Sequence, residues 1–401
     1  MKHIRNDPVI KKLLGKNYLF SGILDNYLSC SILSFSMIFN PITVCNLNLQ
    51  NHFVKSATHE FMAEEDGKPT PQIGDIYAEL AKNDVGLIIT GFSYVLPGGQ
   101  SMIYQQGIYD DRFIEPYMKI TEMVHRYRSK IVLQIVHGGR QAVVSEEYPV
   151  PLAPSEIKDE LSGVVPKEIT EQEILEVIAA FTKAAIRAKK AGFDGVQLHC
   201  AHGFLLSNFI SPYTNRRADR WGGSVENRAR IVTEIVRQIK KQAGSDFPIL
   251  VKLNATDGFQ PGSQKAELGI TILQVVETAK LLEKAGICSI EVSGGIREAG
   301  EVTVRTEINS PTEEAYFREY SKEIKKAVNI PVMLVGGIRS LSVMENLLEG
   351  GFADLVSMGR PFIREPDLIL KLKSGEAKKA MCISCNLCFD PEGIRCNYEF
   401  D

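Results

Sequence analysis

From residue 52 onward the chain alternates short apolar runs with longer stretches whose apolar positions recur every third or fourth residue. The short runs predict strands at 52–56 (HFVKS), 85–90 (VGLIIT), 131–137 (IVLQIVH), 194–199 (DGVQLH), 248–253 (PILVKL), 288–293 (CSIEVS), 331–335 (PVMLV) and 353–358 (ADLVSM). Their unbroken apolar character is that of strands covered on both faces. The longer stretches predict helices over 73–82, 112–128, 225–242, 272–284, 312–328 and 341–349. The best-marked helix opens with a capping-box pair, Thr170 and Glu173. It continues through Ile174, Val177, Ile178, Phe181 and Ala185 and stops at Gly192. Eight strand–helix units without a second pattern predict an α/β fold, a single (β/α)8 TIM barrel spanning 37–375. A cysteine-containing tail, 376–401, follows it. Residues 143–167, irregular and proline-bearing, read as a long loop over the barrel mouth.

The first 36 residues do not continue this rhythm. Residues 2–16 are basic, and the apolar stretch 18–39 is broken by Asp25 and Asn26. That excludes a well-formed signal peptide or membrane span. The segment reads as an N-terminal extension, a mis-assigned start or a disordered arm, with Met37 opening the domain. At 401 residues, 44% apolar and 24% charged, the chain has the composition of a soluble globular protein. A net charge of −3 without a basic block argues against nucleic acid as a partner. Four of the eight cysteines fall in the last twenty residues. This favours a metal or redox role in a reducing, cytoplasmic compartment over a disulfide scaffold. A homo-oligomer acting on a small molecule, away from membranes, is expected.

Candidate chemistry lies at the strand ends, where a barrel builds its site. His199 ends the fourth strand and His202 follows on the next loop, so two imidazole N–H groups can meet one oxygen. Ser293-Gly294-Gly295, Gly336-Gly337-Ile338-Arg339 and Gly359-Arg360-Pro361 follow the last three strands. Glycines admit an anion close to backbone N–H groups, and Arg360 adds charge. Thr58 and His59 after the first strand, Gln134 and His137 on the third and Lys252 in the fifth make the same end polar. Together they describe a pocket for a planar, phosphorylated cofactor such as FMN.

The HGGRQA run at 137–142, the stretch HCAHGFLLSNFISPYTNRRADRWGGSVENR at 199–228 and MGRPF at 358–362 resemble the old yellow enzyme family of FMN-dependent oxidoreductases. The likeness runs from about residue 39 to the C-terminus. It implies a barrel carrying FMN, reduced by NADH or NADPH, that passes hydride to the β-carbon of an electron-poor alkene. It places Ala57, Thr58, Gly91, Gln134 and Lys252 against the isoalloxazine, and Gly294, Gly336, Gly337, Gly359 and Arg360 around the phosphate. It makes His199 and His202 the pair that holds a substrate carbonyl. Lys252 stands where arginine is common, keeping the charge but losing the planar fork. One position departs from the pattern. Where the family usually has a proton-donating tyrosine, this chain has Phe204, which has no exchangeable proton. Tyr94, Tyr104, His59 or solvent then become the candidate donors.

Cys382, Cys385, Cys388 and Cys396 form the second signal, four thiols able to converge on a 4Fe-4S cluster or on zinc. The tail resembles the cluster-binding segment of the family's larger members, 2,4-dienoyl-CoA reductase and trimethylamine dehydrogenase, although their last cysteine lies further away. With a cluster, a separate electron-carrier protein is an alternative source of electrons; without one, the tail is vestigial. Cys30, Cys45, Cys200 and Cys288 lack such spacing and read as buried or incidental. Two other functions remain open. One is a metal-dependent barrel lyase, with His199 and His202 as ligands beside Glu291 and Asp257; the other is a non-catalytic flavin or electron-transfer protein.

Overall fold

The computed structural model describes residues 36–399, so the N-terminal extension and Cys30 lie outside the described residues. From Met37 on, the chain forms one compact unit. Its eight parallel strands are β1 (Phe53–Lys55), β2 (Leu87–Ile89), β3 (Lys130–Val136), β4 (Gly195–Cys200), β5 (Ile249–Asn254), β6 (Ser289–Ser293), β7 (Val332–Val335) and β8 (Leu355–Met358). Each pairs with the next, and β8 pairs with β1 in register Ser357↔Val54, so the barrel closes. The principal outer helices are α1 (Pro71–Lys82), α2 (Ile114–His125), α3 (Glu171–Lys190), α4 (Val225–Ala243), α5 (Ile272–Ala285), α6 (Arg318–Ala327), α7 (Leu341–Glu349) and α8 (Leu368–Ser374). The capping box at Thr170 is present, with Glu173 reaching back to the Thr170 N–H at 2.8 Å.

Successive strand residues point to opposite faces, which sorts this sequence into three layers. Phe53, Ile131, Leu133, Ile135, Val196, Leu198, Val251, Ile290 and Val356 face out and pack with the helices into the main core. Val54, Leu87, Ile89, Val132, Leu250, Met333 and Leu355 face in and fill the lower barrel. Two residues further along the same strands the interior turns polar: Ser56 succeeds Val54, Gln134 succeeds Val132, Lys252 succeeds Leu250 and Ser357 succeeds Leu355. That single step positions the site.

The base is plugged by an antiparallel hairpin, Ile42–Val44 with Leu47–Leu49, whose Val44, Leu47 and Leu49 join the inner core. Cys45 at its turn is disulfide-bonded to Cys288 at the foot of β6, with Cα atoms 5.2 Å apart. These two cysteines are therefore a structural link rather than incidental thiols. Two further expectations need correcting. The helix expected over 312–328 begins only at Arg318, because Ala315 adopts φ +53° and the Glu313 carboxylate accepts the N–H groups of Asn309 and Ser310. The loop 143–167 contains Leu152–Ala153, paired with Lys167–Glu168 in a small separate sheet. No helix among the described residues is long and apolar enough to cross a membrane.

Candidate active site

The polar upper layer forms a hydrogen-bonded chain across the barrel. Gln134 donates its amide to Gln197 at 2.5 Å, Gln197 donates to Glu291 at 2.9 Å, and Ser56 donates to the other Glu291 oxygen at 2.7 Å. Lys252 Nζ lies 2.9 Å from Ser56 Oγ and 3.3 Å from Glu291, and both charged side chains are at most 3% exposed. Burial alone would raise the Glu291 carboxyl, but the Lys252 charge and the donated hydrogen bonds hold it below its ordinary value. Gln134 Oε1 is left over, buried and accepting nothing. An orphaned acceptor in such a place is costly unless a ligand N–H meets it.

Above this floor lies a cavity of about 380 Å³, within the range of roughly 300–1,000 Å³ usual for cofactor sites. At one end stand Gly336, Gly337, Gly359 and Arg360. Gly337 adopts φ +69°, and a Cβ there would collide with Ile308 and Tyr316. The backbone N–H groups of Gly337 and Gly359 find no acceptor among the described residues, and neither do Nε and Nη2 of Arg360. Donors held without acceptors beside an arginine suit a phosphate. The orphaned amide oxygen and the donor-rich end together fit FMN.

The rim is aromatic. The His199 and His202 rings meet edge to face with centroids 5.1 Å apart. His202, at φ +61°, sets Nε2 2.7 Å from Ser293 Oγ, and His199 Nδ1 accepts the Ala201 N–H at 3.3 Å. Burial, then the mutual charge of His202 and Lys252, pushes His199 well below its ordinary value; burial and Lys252 lower His202 to about 3. Both rings are therefore neutral at physiological pH, each with one N–H to donate. Phe92 packs against His199 at 5.9 Å and against Phe204 at 5.4 Å, centroid to centroid.

Of the residues expected at the site, Ala57, Thr58, His202, Lys252, Gly336, Gly337, Gly359 and Arg360 line the cavity. Gln134 lies in the floor network, and His199 sits behind Phe92. Gly91 and Gly294 do not line the cavity. The Gly91 N–H is taken by the buried Glu60 carboxylate at 2.9 Å, and Gly294 packs against Phe317. Among the proposed proton donors, Tyr94 gives its hydroxyl to the Asp66 carbonyl and Tyr104 stands outside the lining. His59 does line the cavity, but burial lowers it to about 4 and its Nε2 faces the Ile103 carbonyl at 3.0 Å. Sequence reasoning missed Phe92, Thr303, Val304, Tyr316, Ser384 and Phe389, which also line the walls. Only the position of Phe92, just beyond a strand end, hinted at such a place.

Cys382, Cys385, Cys388 and Cys396 border one small cavity of about 20 Å³, together with Arg360 and Arg364, and all four are free thiols. Among the described residues, no three His, Cys, Asp or Glu side chains are gathered so as to hold a metal ion, in the tail or at the barrel mouth. Glu291 is committed to Lys252, and Asp257 accepts from Ser211 Oγ at 2.7 Å. The ligand set required for a metal-dependent lyase is therefore not assembled.

Comparison with known families matches residues 37–379 to the family described as NADH:flavin oxidoreductase / NADH oxidase. An NADH oxidase of Thermoanaerobacter brockii is 39% identical over 357 residues, covering 88% of this chain and 53% of that protein. An NADPH dehydrogenase of Bacillus subtilis (strain 168) is 34% identical over 330 residues, covering 82% of this chain and 92% of that one. A 2-naphthoyl-CoA reductase, solved with 2-naphthoyl-CoA, superposes with a TM-score of 0.80 at 26% identity, over 88% of this chain and 54% of its own. The chain thus spans about half the length of two of these proteins.

Proposed function

The chain belongs to the NADH:flavin oxidoreductase / NADH oxidase family, and on that premise we propose that it is an FMN-dependent oxidoreductase acting on an electron-poor alkene. Arg360, Gly337, Gly359 and Gln134 would hold FMN, which would supply the hydride chemistry between NADH or NADPH and the β-carbon of the substrate. The observation that supports this most directly is one continuous cavity with unengaged donors and Arg360 at one end and the Lys252 charge on its floor. The cationic Lys252 favours negative charge on a ring lying above it. The unpartnered Gln134 Oε1 would accept an N–H of the ring. The neutral His202 ring, which lines the cavity, would offer an N–H to a carbonyl oxygen and draw electron density away from the alkene, with His199 packed edge to face behind it. Phe92 packs edge to face against the His199 ring. Phe204 has no proton to give, Tyr94 is committed to the Asp66 carbonyl and Tyr104 stands outside the cavity lining, so solvent would supply the α-carbon proton.

The test is the spectrum of the purified protein. Flavin absorbance that bleaches with NADH or NADPH and returns with a simple enone supports the reading. A colourless protein that takes up no FMN overturns it, and flavin that never turns over an enone, maleimide or nitroalkene leaves only the electron-transfer role. No step is assigned to the tail cysteines, because as placed they do not converge; iron and sulfide analysis after anaerobic purification tests a 4Fe-4S cluster there. The reading extends to a cytoplasmic homo-oligomer, fed in the presence of a cluster by a carrier protein. The Cys45–Cys288 disulfide pulls against a reducing compartment. Size-exclusion chromatography and cell fractionation are the checks.

A further inference from the structure

Arg360 at the donor-rich end of the cavity is not held by the barrel alone. Its Nη1 donates to three oxygens: the Arg305 carbonyl at 2.8 Å, the Ser384 carbonyl at 3.1 Å and the Asn386 side-chain oxygen at 2.6 Å. Two of these belong to the C-terminal tail, and the third to the loop after β6. Asn386 ties the two together, because its amide donates to the Val304 carbonyl at 3.1 Å. Both tail residues sit in left-handed backbone, Ser384 at φ +62° and Asn386 at φ +63°, a conformation asparagine tolerates better than most residues. Arg339 adds a parallel strut, donating from Nη1 to the Cys382 carbonyl at 2.9 Å. Ser384 and Phe389 from the tail, with Thr303 and Val304 from the loop, are themselves cavity walls.

A guanidinium anchored at one nitrogen presents the remaining edge of its planar fork in a fixed direction. Here that edge is Nε and Nη2, the two nitrogens without an acceptor among the described residues. We infer that Asn386 is a positioning residue for the flavin phosphate: it locks Arg360 in the orientation that meets the phosphate and clasps the tail over that end of the cavity. This rests on the flavin reading above. The phosphate and the tail are then linked, so each orders the other.

The experiment compares binding of FMN and of riboflavin, which lacks the phosphate, by quenching of flavin fluorescence on the full-length protein stripped of flavin. Asn386→Ala should weaken FMN on the order of tenfold, as expected for losing a hydrogen bond to a charged group, and leave riboflavin affinity unchanged. Asn386→Asp keeps the acceptor towards Arg360 but loses the amide that donates to the Val304 carbonyl and sets a negative charge beside the phosphate, so it should also weaken FMN while sparing riboflavin. Phe389→Ala, a tail change that removes cavity wall without touching Arg360, should weaken both flavins alike. A loss of both flavins in the Asn386 variants would mean that the residue only holds the tail together, and overturns the inference. So would an unchanged preference for FMN. A wild-type protein that binds neither flavin defeats the flavin reading instead, whereas one that binds both equally defeats the phosphate site.

Discussion

Replacing Lys252 with methionine keeps most of the side-chain volume and removes the charge facing Glu291. The pair is 3.3 Å apart, with side chains 3% and 0% exposed, and Glu291 is not part of the cavity lining, so little solvation replaces the lost interaction. Removing one member of such a pair typically costs about 3–5 kcal/mol, because the survivor stays buried and unmatched. At about 2 °C per kcal/mol for a domain of this size, the flavin-free variant should melt roughly 6–10 °C lower at neutral pH. The pH dependence separates this cause from poorer packing. In the native protein Glu291 is held below its unfolded value, so it contributes stability above that value and loses it as pH falls through the folded one. Without Lys252, burial prevails and the folded value rises above the unfolded one. The carboxylate then costs stability at neutral pH and is relieved by protonation as pH falls. The gap between native protein and variant should therefore narrow from pH 8 to pH 5.5, and adding Glu291→Gln should close most of it. Melting curves that stay a constant distance apart, or a double variant no better than the single one, would refute the reasoning.

Four histidines are held low by burial: His59 and His137 near 4, His202 near 3 and His199 well below its ordinary value. Below about pH 6.5 the unfolded chain takes up protons that the folded one refuses, so stability should fall between pH 6.5 and 4.5. Each histidine contributes up to about 1.4 kcal/mol per pH unit. The raised carboxyls of Glu60 and Asp257 work in the opposite direction and offset part of this. Urea midpoints at pH 7, 6 and 5 measure the slope, and a flat series would contradict neutral, buried rings. Phe204→Tyr restores a hydroxyl on a ring whose centroid lies 4.8 Å from that of His199. It should raise enone reduction on the order of tenfold or more if the proton is limiting; stopped-flow oxidation of the reduced flavin is the assay, and an unchanged rate with flavin intact means solvent protonation is already fast.

The barrel was legible because its strands are buried on both faces and so spell apolar runs, and because the capping box at Thr170 marks a helix start locally. The polar interior was legible too, since Gln134 and Lys252 interrupt those runs at the strand tops. What escaped depends on closure. The three-residue strands of the plugging hairpin are too short to show a period. Cys45 and Cys288 lie 243 residues apart and meet only when the barrel shuts. Gly91 has the right place in the order of strands, yet Glu60, from the neighbouring strand end, takes its N–H. The share of the tail in the walls was hidden behind its cysteines, whose spacing drew attention away from Ser384 and Asn386.

The covalent staple from the hairpin to the foot of β6 sits at the end of the molecule opposite the cavity. Reduction would unfasten the plug while leaving the mouth and its hydrogen bonds in place. The plug can therefore be fastened or loosened from the pole opposite the mouth, leaving the residues that line the cavity untouched.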